Sequence, residues 1–268
     1  MSKLEARKRT TTAVPGFLWV PAVVALALVV LPIVGLVTRT DLANFPALVT
    51  SPSALAALEL SLRTAAMSTV LCLVLGGPLA VVLARAKVPG IRLLRAIVLL
   101  PLVLPPVVGG LALLYLLGRN GFAGKFIDTV FGFRIPYTTV AVVIAQTFVA
   151  MPFLVVALEG ALRTAGERYE TVAATLGARP WTVFRRVTVP LLLPALGSGL
   201  VLSFARALGE FGATITFAGS LEGVTRTLPL EVYTLGETDV DGAVALSLLL
   251  VIVAIVVITV ARPRDGAL

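Results

Sequence analysis

The chain has 268 residues, 58% of them hydrophobic and 13% charged, with a mean hydropathy of +1.03. That is more apolar surface than one soluble core can hide, so lipid has to be part of its solvent. The net charge of +8 raises nucleic acid as a partner, but no interleaved aromatic-basic surface accompanies it, and basic residues in a membrane protein mark the cytoplasmic side. Histidine is absent and the single cysteine, Cys72, lies in an apolar run, which excludes the commonest acid-base residue, a cysteine metal site and a disulfide within the chain.

In chain order, the basic start from Lys3 to Arg9 precedes an apolar stretch, Phe17 to Val37, that is longer than a signal-peptide core and lacks a small-residue cleavage site. It reads as a retained first helix. Further runs of the length needed to cross the hydrocarbon follow at Ala65–Ala84, Ala96–Leu117, Thr139–Leu158, Leu191–Ala218 and Ala243–Ala261. Six spans put both termini on one side. With that side inside, fifteen of the 22 lysines and arginines are cytoplasmic, among them Arg85, Lys87, Arg92, Arg95, Arg163, Arg262 and Arg264. Five are external, namely Arg39, Arg119, Lys125, Arg134 and Arg226, while Arg63 and Arg206 fall in or beside spans. This asymmetry sets the expected orientation, with a cytoplasmic tail at residues 1–16 and another at 262–268 around a membrane domain at 17–261.

Gly76-Gly77-Pro78, Pro101, Pro105-Pro106, Gly109-Gly110 and Pro152 interrupt these spans. Static kinks and close helix packing account for each of them singly, and a pathway with moving walls is the other reading of the set. Between the fourth and fifth spans, residues 160–189 are too polar to cross the membrane and rich enough in helix formers to fold. Glu167 to Leu176 predicts a short helix, Gly177 the left-handed residue that ends it, and Pro180 the first turn of a second helix. Ala173 and Ala174 offer a small-residue face for close approach by another protein, and Arg185 and Arg186 suit acidic groups or lipid headgroups.

This loop resembles the hallmark of ABC importer permeases, in which EAA is followed by three residues, a glycine, nine residues, an isoleucine, one residue and Leu-Pro. Counted from Gly177, the last three positions are Val187, Val189 and Pro190. Upstream, Ala173 fills the final EAA position, Val172 and Thr171 replace the other two, and Glu170 is displaced by one residue. The resemblance implies an all-α integral membrane fold of about six transmembrane helices with a cytoplasmic helix-turn-helix coupling loop that docks on an ATPase subunit. Its residues would be Glu170, Ala173, Ala174, Gly177, Pro180, Val187 and Pro190. A surface-lying amphipathic helix is the alternative. The chain has no phosphate-cradling GxxxxGK[ST] loop, since Gly121 to Phe126 lacks the spacing and the hydroxyl. It also offers no nucleophile with a matching base, so ATP and Mg are expected on a separate chain and this subunit is not an enzyme alone.

In the fifth span, Arg206 and Glu210 stand four residues apart on one helical face and can pair. Charges there must face protein or water. Two readings stay open, an ion pair that locks helix packing and an arginine that lines or gates an anion route. Ser203, Thr214 and Thr216 are candidate hydroxyls along such a route, or donors to their own helix backbone. The stretch Ser203 to Thr214, with Leu99 to Gly110 and Met151-Pro152-Phe153, is similar to the molybdate, tungstate and sulfate branch of these permeases, and Thr227 to Tyr233 is most similar to molybdate permeases. The resemblance implies two permease copies, two cytosolic ATPase subunits and an extracytoplasmic oxyanion-binding protein, in the inner (cytoplasmic) membrane. A sulfate or tungstate importer of the same architecture is the near alternative. A secondary transporter driven by an ion gradient is the alternative from another class, and it leaves the Gly177 to Pro190 register unexplained.

Overall fold

A computed structural model describes residues 15–260, and all regular structure among them is helical. Apart from Pro15 and Gly16, the two expected tails with their basic residues lie outside the described residues, as does Ala261. The chain divides into two units, Met1–Thr40 and Asp41–Leu268. In the first, a 3-10 turn at Gly16–Leu18 leads into α1, Trp19–Arg39. None of the α1 residues is buried, and the 24 residues Gly16–Arg39 are long and apolar enough to cross a membrane.

The second unit opens with α2 (Phe45–Val49) and a helix of 34 residues, Pro52–Arg85. Ser51 caps it by accepting the Ala54 N–H, and Pro52 stands at its first position, where its missing N–H costs nothing. This helix is α3 (Pro52–Leu71), a π turn (Cys72–Gly76) and α4 (Gly77–Arg85) in one run. The π turn ends two residues before Pro78. Proline cannot donate to the carbonyl four residues back and its ring crowds that carbonyl, and a wider turn takes up the mismatch without ending the helix.

The expected third span, Ala96–Leu117, is not one helix. It is α5 (Ile91–Val103) and α6 (Pro106–Leu117), bent by 115° at the break. Leu104 precedes Pro105 and adopts an extended conformation, the one a residue before proline prefers. With that pair counted as one span, six stretches are long and apolar enough to cross a membrane, and without it five. After α7 (Phe122–Phe131), α8 (Thr139–Ala165) is the central element and continues past the expected end at Leu158. Pro152 sits inside it without breaking it. Its side chains join two clusters, one with Ala65, Leu83, Leu192 and Leu208, the other with Leu113, Ala213 and Phe217.

Next come α9 (Arg168–Thr175) and α10 (Pro180–Val183), the latter continuing through a second π turn (Phe184–Thr188) into α11 (Val189–Leu208). This π turn also ends two residues before a proline, Pro190. The helix expected after the Gly177 turn is therefore the start of the fifth span rather than a separate loop helix. That span also ends earlier than expected: Gly209 to Phe211 break it, and α12 (Gly212–Ala218) is a separate short helix. A Cβ at Gly110 would lie 2.8 Å from the Ala213 carbonyl, and one at Gly212 2.8 Å from the Pro106 ring. These glycines let α6 and α12 pack backbone to backbone. Finally, α13 (Leu228–Gly236) packs on α14 (Val240–Val260) and α3, where Leu228 donates its N–H to Ser61 Oγ at 2.6 Å.

Candidate functional site

The short helix α9 forms where the sequence places it, and its end is a Schellman closure. Gly177 N–H reaches the Ala174 carbonyl at 3.0 Å and Ala178 N–H the Ala173 carbonyl at 3.1 Å, with Gly177 at φ +82°. Glu170 and Ala174, four residues apart, share the inner face and line an open cleft of about 400 Å³ together with Val81, Arg85, Phe184 and Thr188. Ala173 is half-buried, Ala174 exposed. The outward stripe is Tyr169, Val172 and Leu176, spaced three and four residues apart, with Leu176 83% exposed. Beside it Trp181 is exposed and stacks on Phe184, ring centroids 5.7 Å apart. This apolar stripe is absent from the expected contact set, although its helical spacing stands in the sequence. Val187 is half-buried in the π turn, and Pro180 and Pro190 are exposed.

Arg85, at the end of α4, holds the inner side of this loop. Its Nε donates to Glu170 Oε2 at 2.9 Å, Nη1 to the Leu162 carbonyl at 3.0 Å, and Nη2 to the Gly166 carbonyl at 2.7 Å. Thr188 Oγ1 donates to the other Glu170 oxygen at 2.8 Å. A second cluster lies close by: Arg95 of α5 donates to Glu159 Oε1 at 2.7 Å and to the Leu83 carbonyl at 3.2 Å, and Arg163 stands 3.1 Å from the same carboxylate. Lys87 and Glu167, 4.0 Å apart and well exposed, form only a loose surface pair. The sequence presents Arg85 and Arg95 as orientation markers, and nothing local announces partners more than 60 residues away.

Arg206 and Glu210 pair as their spacing predicts, Nη2 to Oε2 at 2.6 Å. Glu210 is 1% exposed, and its other oxygen accepts the Ala213 N–H at 2.8 Å, so it caps α12 while holding the last turn of α11. The arginine also sits at the C-terminal end of α11, where a cation is favoured. Ser203 is buried and donates to the Ala150 carbonyl of α8 at 3.3 Å. Thr216 donates to the Gly212 carbonyl of its own helix. Thr214 is buried, and its hydroxyl has no partner among the described residues. Of the four pathway candidates, only Arg206 has a side chain with appreciable exposure, 27%.

A helical membrane domain with a short helix and glycine turn held against its span ends is the architecture of an importer's membrane subunit. The fold is similar to the crystal structure of a bacterial ABC transporter that imports the acidic polysaccharide alginate, with a TM-score of 0.74 over 93% of this chain and 95% of that chain at 17% identity. Residues 76–262 match the family described as binding-protein-dependent transport system inner membrane component, and the chain belongs to that family. It is 59% identical to the molybdenum transport system permease protein ModB of Mycobacterium tuberculosis, over 92% of this chain and 93% of that protein. With the sulfate transport system permease protein CysT of Escherichia coli it shares 37% identity over 76% of this chain and 74% of that one. The resemblance drawn from the Gly177 to Pro190 register is borne out.

Proposed function

We propose that this chain is the permease subunit of an ATP-driven molybdate importer of the inner membrane. In this reading it works as a pair of copies with two cytosolic ATPase subunits, which bind ATP and Mg, and an extracytoplasmic oxyanion-binding protein. The observation that carries the proposal is the 59% identity with a molybdenum permease across nearly the whole of both chains. The end of the helices that holds Arg85, Arg95, Arg163, Arg185 and Arg186 faces the cytoplasm by the positive-inside rule, as do the tails at 1–16 and 262–268 around the 17–261 membrane domain. The loop within residues 160–189 is then the ATPase-coupling element. Its outward stripe of Tyr169, Val172, Leu176 and Trp181 is an exposed apolar patch of the kind that docks a protein partner. Glu170, Ala173, Ala174, Gly177, Pro180, Val187 and Pro190 shape and anchor it.

Arg206 is the residue for the anion route. A dianion in a low-dielectric passage is stabilised by a cation that can let go of its carboxylate, and Glu210 holds the cation in reserve. Ser203 and Thr214 flank it in sequence and line the route only if helices α11 and α12 part from α8.

The test is uptake of labelled molybdate, sulfate and tungstate by cells lacking the gene, with and without its restoration. Selective loss and rescue of molybdate uptake is the expected result. Loss of sulfate or tungstate uptake alone moves the substrate within the branch, and uptake that persists without ATP would point to an ion-gradient transporter. Replacing Arg206 with glutamine is expected to abolish molybdate uptake while leaving co-purification with the ATPase subunit intact.

A further inference from the structure

The geometry around Arg85 points to a function for this residue. We propose that Arg85 is the positioning residue that makes the coupling helix α9 move as one body with α4, the segment that follows the Cys72–Gly76 π turn. The inference rests on the reading of the loop as the ATPase-coupling element and says which part of the membrane domain receives the motion.

The close backbone neighbours of α9 are α10 and the Phe184–Thr188 π turn. Its link to α4 is the Arg85 side chain, which engages Glu170 on the inner face of α9 at 2.9 Å. The same guanidinium donates to the carbonyls of Leu162 and Gly166 at 3.0 and 2.7 Å. The Leu162 carbonyl is one of the last four of α8 and has no helical donor, because the Gly166 N–H turns to Arg163 instead. One planar fork therefore closes the end of α8, fixes the chain as it leaves that helix, and holds the first turn of α9. Lysine, with one ammonium on a flexible stem, cannot span three acceptors in this geometry. Both Arg85 and Glu170 are only 19% exposed, so water competes weakly for these bonds. Thr188 completes the joint by tying the second oxygen of Glu170 to the π turn that begins the fifth span.

Mechanically, a push on α9 then reaches two spans by different routes. Toward α4 it passes through the charge-assisted Arg85–Glu170 bond, steadied by the two bonds of the same guanidinium to the Leu162 and Gly166 carbonyls. Toward α11 it passes through the Phe184–Thr188 π turn, an irregular turn of a kind frequent at functional sites, where bending can be taken up. The coupling helix and α4 are therefore expected to keep their separation through the ATP cycle, with the bending taken up at Phe184–Thr188.

The experiment uses the full transporter, with ATPase subunits and binding protein, in lipid vesicles. Spin labels at Val82→Cys, an exposed residue of α4, and Thr175→Cys report the α4 to α9 distance in the nucleotide-free and ATP-trapped states. The two states should give the same distance with Arg85 present and different distances in Arg85→Met. A wild-type distance that changes between the states overturns the proposal. In unlabelled vesicles, Arg85→Met is expected to raise ATP hydrolysed per molybdate imported by about tenfold, the scale of losing one hydrogen bond to a charged group, with ATPase-subunit binding retained. Arg85→Lys should fall between it and wild type, and an unchanged ratio in Arg85→Met overturns the proposal as well. If the methionine variant fails to assemble, the lysine variant and the wild-type distance still decide. Absence of molybdate import by the wild-type vesicles would count against the substrate assignment, while the distance measurement would continue to judge the joint.

Discussion

At the scale of single residues, the clearest constraint is Gly177. Nothing lies within 4 Å of where its Cβ would be, yet φ is +82°. The cost of a side chain there is conformational rather than steric, about 1–2 kcal/mol for an L-residue and more for a β-branched one. Gly177→Val is therefore expected to leave the membrane domain folded and to uncouple ATP hydrolysis from import, read as hydrolysis without molybdate uptake. Normal import by this variant would remove the mechanical role of the turn. Gln146 is a second instructive residue. It is 0% exposed in the first third of α8, and neither its amide nitrogen nor its oxygen has a partner among the described residues. A buried polar group without a partner costs about 1–3 kcal/mol, so Gln146→Leu is expected to be neutral or stabilising in thermal unfolding in detergent. A clear fall in melting temperature would show that the amide has a partner in the assembled transporter.

At the scale of elements, proline acts in three distinguishable ways. Pro152 is absorbed within α8, Pro78 and Pro190 each follow a π turn that keeps a long helix continuous, and Pro105-Pro106 end α5 and begin a new helix at 115° to it. The difference lies in the surroundings. The α8 helix continues through the buried Pro152, a single missing hydrogen bond can be taken up by a wider turn, and two adjacent prolines leave Leu104 in the extended region. On α9 the spacing that turns Glu170 and Ala174 inward turns Tyr169, Val172 and Leu176 outward. If that stripe docks the ATPase, Leu176→Asp puts a charge in an apolar contact and should weaken binding of the ATPase subunit by about tenfold, measured by titration in detergent. Unchanged binding would move the docking face elsewhere on the loop.

At the scale of the whole molecule, the proposed orientation makes a direct prediction. A cysteine at Thr175 should react with a membrane-impermeant thiol reagent only from the cytoplasmic side, and one at Glu222, in the loop before α13, only from outside. The native Cys72 is buried and should stay silent. Reversed labelling would overturn the orientation. The sequence by itself determined the class of solvent, the apolar stretches that span it, the Gly177 turn and the Arg206 to Glu210 pair. Each of these depends on composition or on residues within a few positions of one another, where period and local backbone preference act directly. Only the tertiary structure decided that the third stretch is broken, that the fifth begins at Pro180 and ends at Leu208, that Arg85 closes the end of α8 and that Arg95 pairs with the Glu159 carboxylate. The physical reason is that a proline or an arginine has several low-cost local solutions. Which one it adopts depends on what packs beside it, here the carbonyls and carboxylates that α8 and α9 bring to the end of α4.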